Sequence, residues 1–547
     1  MEDHRRFPTW FRLAMVCSGT ASTILLMQTS FKWSFCITAA LSLALLVFLV
    51  FRVNLAERLL ASRPLWACIV AGILSLATVY RAKSTFYTFC AHWMEQAVRL
   101  LGLPQIIIRL MPWIMALLAL PMVMSCLLWF VNLMGDLAVQ LCRSSDFTER
   151  MYFLGAGLLF TMMIVFTYLC TQAFFGAYIN GWRYDFDLIY SADSGYLVRT
   201  DVFRNIGADQ NDLRQPLFGL FATPFSQTAW LISKLLFFLP VGYITIWQIL
   251  QMLMFLTSVI LISRMMELKG TEKALFLGLF SVSYPMLIFV LTAEQYLVAM
   301  FYFVLLLYLR REEQGKTMAF VGASGCLMTS GLWFPLITWD RDLKQFIKKS
   351  FRLLGVFLAV LVLSGRLTTY LDMPSYAAGF APYIGYTVAP MEKLLQYVNF
   401  AGACLLAPPS GIDTTMYSHI SWQMLPVTGW SPVGLAVIAL TIGGFLISRR
   451  ERFSRWCAAW AGFSFLLLGL VGWGTVDNGL MLYTLYFGWA IICLVFRFID
   501  RILNRVRPAK VAVLMAAILA VAACNIYALR NVLIFATQFF PTLGGIR

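Results

Sequence analysis

Charge is scarce in this sequence: Asp, Glu, Lys and Arg make up 12% of 547 residues. A water-soluble chain carries about a quarter, so a solvated globular surface is excluded. Histidine is scarcer still, at three residues, which leaves no His-rich metal motif. The twelve cysteines stand singly with no Cys-X-X-Cys pair, so neither a zinc ribbon nor a disulfide framework is indicated. No Asn-X-Ser/Thr sequence occurs, which leans toward a bacterial source. No small-residue cleavage site precedes a mature domain, so the first apolar run reads as a retained anchor.

What the sequence has instead is apolar bulk, 61% of all positions. Runs such as 152–177 and 240–262 can cross a hydrocarbon core as helices. They lack the alternation a membrane barrel needs. The expected fold class is an all-α polytopic membrane protein. Spans are predicted at 10–31, 33–51, 64–80, 111–135, 152–177, 240–262, 274–292, 296–309, 350–365, 429–447, 457–473, 480–496 and 511–529. Two segments are read differently. Residues 226–239 are short and hold Lys234, which suits an interfacial helix. Residues 317–338 carry Gly322, Gly325, Gly331 and Pro335, which suits two half-helices returning to one side.

With both readings, 28 of the 42 basic residues fall on one face. The net charge of +16 is therefore a topology signal and not a nucleic-acid footprint. It predicts a multi-pass protein of a bacterial cytoplasmic membrane, with its amino terminus in the cytoplasm and its carboxyl terminus outside. Two long loops, 178–239 and 366–428, then lie on the outer face. The chain divides into a four-helix extension at 1–150, a core at 151–365, and the second loop with the last helices at 366–547.

The first outer loop reads NGWRYDFDLIYSADSGYLVRTDVFRNIGADQNDLRQPLF. Asp185, Asp187, Asp193, Asp201, Asp209 and Asp212 fall within 28 residues. Carboxylates at that density can hold a divalent metal, orient a sugar hydroxyl or act as general base. Simple solvation of an exposed loop is the plainer alternative. Asp185-Phe186-Asp187 has the DxD form by which many sugar transferases hold a metal-nucleotide. Asp193-Ser194-Gly195-Tyr196 stands a short way beyond a span and before a Pro-containing apolar helix, as a membrane-surface site requires.

This arrangement resembles the GT-C class of membrane glycosyltransferases, whose donors are polyprenyl-phosphate-linked sugars. The resemblance covers about 150–350, and implies a GT-C-like bundle of about 13 spans with a half-helix pair and an outer-face interfacial helix. Span 152–177 would be the first core helix, and Asp193 with Tyr196 would occupy the position of the essential acid. Arg214-Gln215-Pro216-Leu217 would supply a basic Pro-Leu motif, with Gln215 where the class commonly has a basic residue directly before the proline. Glu294, between spans 274–292 and 296–309, matches a second acid of the class. The implied activity is hexosyl or pentosyl transfer, inverting, from a polyprenyl-phosphate-linked sugar to a lipid or glycan acceptor. Asp193 and Glu294 would be catalytic, while Asp185, Asp187, Tyr196, Asp201, Arg214 and His419 would bind substrate. Members of the class differ in metal dependence, so magnesium or manganese is a candidate cofactor and none is demanded. A flippase or transporter of lipid-linked glycans is the main alternative, followed by a glycan polymerase of another fold.

Overall fold

The computed structural model describes residues 7–27, 33–60, 63–81, 102, 106–174, 177–179, 182–184, 188–192, 214–239, 242–309, 313–333, 342–372, 384–414, 420–476 and 479–542. Among them, eight helices are long and apolar enough to cross a membrane, or nine if one bent pair counts as a span. Three further apolar helices are shorter: Leu65–Arg81, Gln295–Tyr308 and Pro432–Ser448. The chain is thus a helical, multi-pass membrane protein. Span 111–135 sits inside one helix, Ile106–Ser144. Its 39 residues are about 58 Å long, well beyond a hydrocarbon core of about 30 Å.

The all-α class holds, with two small exceptions. Both stretches read as long loops contain a small antiparallel hairpin: Ala177–Ile179 with Trp182–Tyr184, and Ser410–Asp413 with Ser421–Met424.

The helices cluster into two compact units that interleave along the chain. The first comprises Met1–Ser145, Thr200–Ile232 and Leu309–Tyr376. Here Thr9–Met27 packs on Trp33–Phe51 and on the 39-residue helix. Arg12 reaches the short Leu55–Leu59 helix and forms an ion pair with Glu57. Burial alone would raise the Glu57 carboxyl, but that pair and the Phe7 amide hold it below its ordinary range. Of the segment 317–338, the described residues form the end of a helix, Glu313–Cys326, and a 3₁₀ turn at Met328–Trp333. The expected interfacial helix begins earlier than predicted, at Phe218, and runs to Leu235 with Pro224 inside it.

The second unit comprises Asp146–Arg199, Ser233–Tyr308 and Ala377–Arg547. Its helices Phe147–Cys170, Tyr243–Met265 and Gly270–Val282 pack together. The last bends by 59° into Tyr284–Leu291. Pro285 lies at the start of the second half, where a missing N–H costs nothing. The Val282 carbonyl at the bend is met by Asn525 of the Arg507–Phe539 helix, which also ties down the chain after Pro390–Ala403. Its amide donates to Val282 and Leu405, each at 2.8 Å, and accepts from the Ala407 N–H at 2.9 Å. One buried amide satisfies three backbone groups that lipid could not.

One end of this unit is a web of ion pairs. Glu149 pairs with Arg264 at 2.5 Å and with Lys273 at 2.8 Å. Asp146 caps the Phe147–Cys170 helix and also pairs with Lys273. Lys510 joins Glu272 and, at 3.0 Å, Asp500. Arg497 and Arg501 share Glu451. Basic residues from two stretches of the sequence, Arg264 with Lys273 and Arg497 with Arg501 and Lys510, therefore meet at one end of the unit.

Candidate functional site

At the other end of the same unit lies the lead-in to Asp193. After the first hairpin, Leu188 to Ala192 is buried at every position. The Trp422 N–H donates to the Leu188 carbonyl at 2.8 Å, and the Tyr190 N–H donates to the Trp422 carbonyl at 2.8 Å. The two loops predicted from the sequence are thus tied to one another, the first pairing with the strand Ser421–Met424 of the second. Ser191 donates to the Gln423 side chain at 3.2 Å.

Tyr190 is the centre of this clasp. Its hydroxyl shares a 2.5 Å hydrogen bond with Tyr284, donates to Ser410 at 2.9 Å and accepts from the Trp422 indole at 3.3 Å. Burial pushes this phenol above its ordinary range, against hydrogen bonds that favour the charged form. It serves as a neutral tether. Tyr190 and Ser191 both hold φ of +55°, a left-handed backbone that costs a non-glycine residue about 1–2 kcal/mol. Two such residues in succession persist only where surrounding contacts fix them, and such strain gathers at functional sites. Asp193 follows two residues later.

Glu294, the second acid that the resemblance implies, lies in the same unit. The reading of an outer turn implied a carboxylate near the boundary. The structure instead buries it completely, in the break between Tyr284–Leu291 and Gln295–Tyr308. Two glutamines of the Tyr243–Met265 helix splint that break. Gln248 donates to the Leu291 carbonyl. Gln251 donates to the Glu294 carbonyl at 2.6 Å and accepts from the Glu294 N–H at 3.3 Å. The Glu294 carboxylate accepts from the Gln295 N–H at 3.0 Å. Next to it, Tyr296 packs edge-on against Tyr483, with ring centroids 5.3 Å apart.

In the first unit, Arg214 is half-buried at the start of a turn through Gln215, Pro216 and Leu217. The Leu217 N–H donates to the Gly325 carbonyl at 2.9 Å. A Cβ on Gly325 would lie 2.5 Å from the Leu217 Cβ, so the Pro-Leu motif seats where only glycine fits. The motif and the small-residue segment, noticed separately in the sequence, form one joint.

Six of the predicted site residues, Asp185, Asp187, Asp193, Tyr196, Asp201 and His419, lie outside the described residues. Trp422 packs its ring on Phe535 at 5.5 Å and gives its indole N–H to Tyr190. Sequence reasoning missed Tyr190, Gln248, Gln251 and Gln423. For the two glutamines a signal existed, since polar side chains three apart in an apolar span share one face. Among the described residues no group of three or more His, Cys, Asp or Glu is arranged to hold a metal ion. Comparison with known proteins matched no family model, no curated protein and no solved structure.

Proposed function

We propose that the chain is a membrane glycosyltransferase that moves a sugar from a polyprenyl-phosphate donor to an envelope glycan or lipid acceptor on the non-cytoplasmic face. The observation that carries this reading is the strained, hydrogen-bonded lead-in Leu188 to Ala192, which fixes the main chain immediately before Asp193. A fixed approach is what a general base needs, since proton abstraction demands heavy-atom distances of about 2.6–3.2 Å. Asp193 takes the proton of the acceptor hydroxyl. The new bond forms at the anomeric carbon as the bond to phosphate breaks, and the polyprenyl phosphate leaves with the electron pair. Glu294, held by its main chain, is the second acid. On sequence grounds Arg214 is the cation for the departing phosphate.

The test compares Asp193→Asn with wild type in the native host at matched membrane expression. We expect transfer to fall by about 10²–10⁴-fold, one sugar to vanish from an envelope glycan, and its polyprenyl-phosphate donor to accumulate. Unchanged glycan and donor pools in Asp193→Asn, Glu294→Gln and Arg214→Ala alike would overturn the reading.

A further inference from the structure

The second unit carries an arginine-rich face that the proposed chemistry does not use, at the end opposite the Tyr190 clasp. Its origin is a close helix contact. On the Pro432–Ser448 helix, a Cβ at Gly444 would stand 2.0 Å from the Leu494 carbonyl oxygen, and one at Gly443 would stand 2.6 Å from the Phe498 ring. Only glycines let this helix lie so near Thr484–Ile502. The contact places the turn after Ser448 beside the turn after Ile502. The ion pairs of Glu451 with Arg497, at 3.2 Å, and with Arg501 join the two.

The acids of this region are spent. Glu451 serves two arginines, and Asp500 serves Lys510 at 3.0 Å and Arg497 at 3.6 Å. Arg449, Arg450, Arg452, Arg455, Arg505 and Arg507 remain exposed. None of the six makes an ion pair among the described residues, although the Arg452 guanidinium lies 4.9 Å over the Trp456 ring. Exposed aliphatic side chains stand among them: Leu446, Ile447, Ile502 and Val506 are 56%, 47%, 52% and 55% accessible.

We propose that this face binds anionic phospholipid, its phosphodiester taken by arginines of the two turns and its acyl chains lying against the four aliphatic residues. Six guanidinium groups brought together by helix packing repel one another unless an anion lies among them. Guanidinium is the side chain best fitted to phosphate oxygens. Two observations favour lipid over a soluble polyanion. The arginines cap helices long and apolar enough to cross a membrane, Arg452–Val471, Leu480–Ile502 and Arg507–Phe539, and so lie at headgroup level. Exposed aliphatic groups beside them suit acyl chains, which a soluble phosphate compound lacks.

The full-length protein in detergent is titrated with dioleoyl phosphatidylglycerol or dioleoyl phosphatidylcholine, and bound lipid is counted by native mass spectrometry. We expect phosphatidylglycerol to bind saturably and at least about tenfold more tightly than phosphatidylcholine. Replacing Arg449, Arg450, Arg505 and Arg507 by Gln should abolish that preference, while replacing the same four by Lys should keep most of it. Replacing two exposed cations toward the other end of the same unit, Lys234 and Arg530, by Gln should leave it intact. Equal affinity for the two lipids in the wild type would overturn the proposal. So would an equal loss in the distant variant, which would mean diffuse charge rather than a site. Should the Gln variant fail to fold, Arg449→Glu with Arg505→Glu reads the same site. Inorganic phosphate competing fully at millimolar concentration would overturn the choice of lipid.

Discussion

Gln251 illustrates how a neutral side chain can govern a charged one. Glu294 was legible in the sequence because an acid in an apolar run is conspicuous. Gln251, one more amide in a span, was not, since its importance depends on a chain break 43 positions away. In the folded chain it pairs with both backbone groups of Glu294, whereas Gln248 meets only the Leu291 carbonyl. Gln251→Leu therefore orphans a buried N–H and a buried carbonyl together, and should destabilise the protein by about 1–3 kcal/mol. Gln248→Leu orphans one carbonyl and should cost less. Thermal unfolding in detergent, followed by tryptophan fluorescence, ranks the two. If they fall equally, the splint is generic packing rather than a hold on Glu294. Under the proposed function, Gln251→Leu should also reduce sugar transfer more than Gln248→Leu does. Tyr190 was hidden for a related reason: a tyrosine beside an acidic cluster looks like an interface residue until its hydroxyl is seen to be fully engaged.

Elements were legible where periodicity and length speak for themselves, and obscure where tertiary contacts set them. The apolar runs all correspond to helices, but the two hairpins were read as loops because strands of three or four residues carry no periodic signal. The pairing of Leu188 to Ala192 with Trp422 lies beyond any local reading, since the partners are more than 200 positions apart. The joint between the Pro-Leu motif and Gly325 is of the same kind, and it can be tested directly. Gly325→Val thrusts a branched side chain at Leu217, which is buried and bound through its N–H. It should destabilise by about 1–3 kcal/mol through overpacking. Leu217→Ala alone should cost about 2–5 kcal/mol as a buried truncation. The double variant should be more stable than the sum of the two losses predicts, because the truncation clears the space that the valine needs. Strict additivity in a thermal-unfolding cycle would mean that the two residues do not share a joint.

At the scale of the whole molecule, the membrane class followed from composition, and the common end of the basic clusters in the second unit followed from their spacing. The division into two interleaved units did not, because it depends on which helices touch and not on their order. One property does join composition to stability throughout the chain. With only 26 acids against 42 basic residues, several carboxylates are paired with cations, and acidification removes that compensation. Glu57 in the first unit and Asp146 in the second show the sign. Burial would raise both carboxyls. Arg12 and the Phe7 amide more than offset this at Glu57, as Lys273 and the Glu149 amide do at Asp146, so both titrate below their ordinary values of 4.5 and 3.8. A carboxyl depressed by folding contributes stability that is complete above its unfolded value and is lost as pH falls through its folded value. Thermal stability should therefore be level from pH 7 to about 5 and decline below that. Glu57→Gln and Asp146→Asn should each melt earlier than wild type at pH 7, with the gap closing toward pH 3 as the wild-type carboxyls take up protons. A gap that stays constant across that range would mean that the variants act through packing and that the ion pairs contribute nothing.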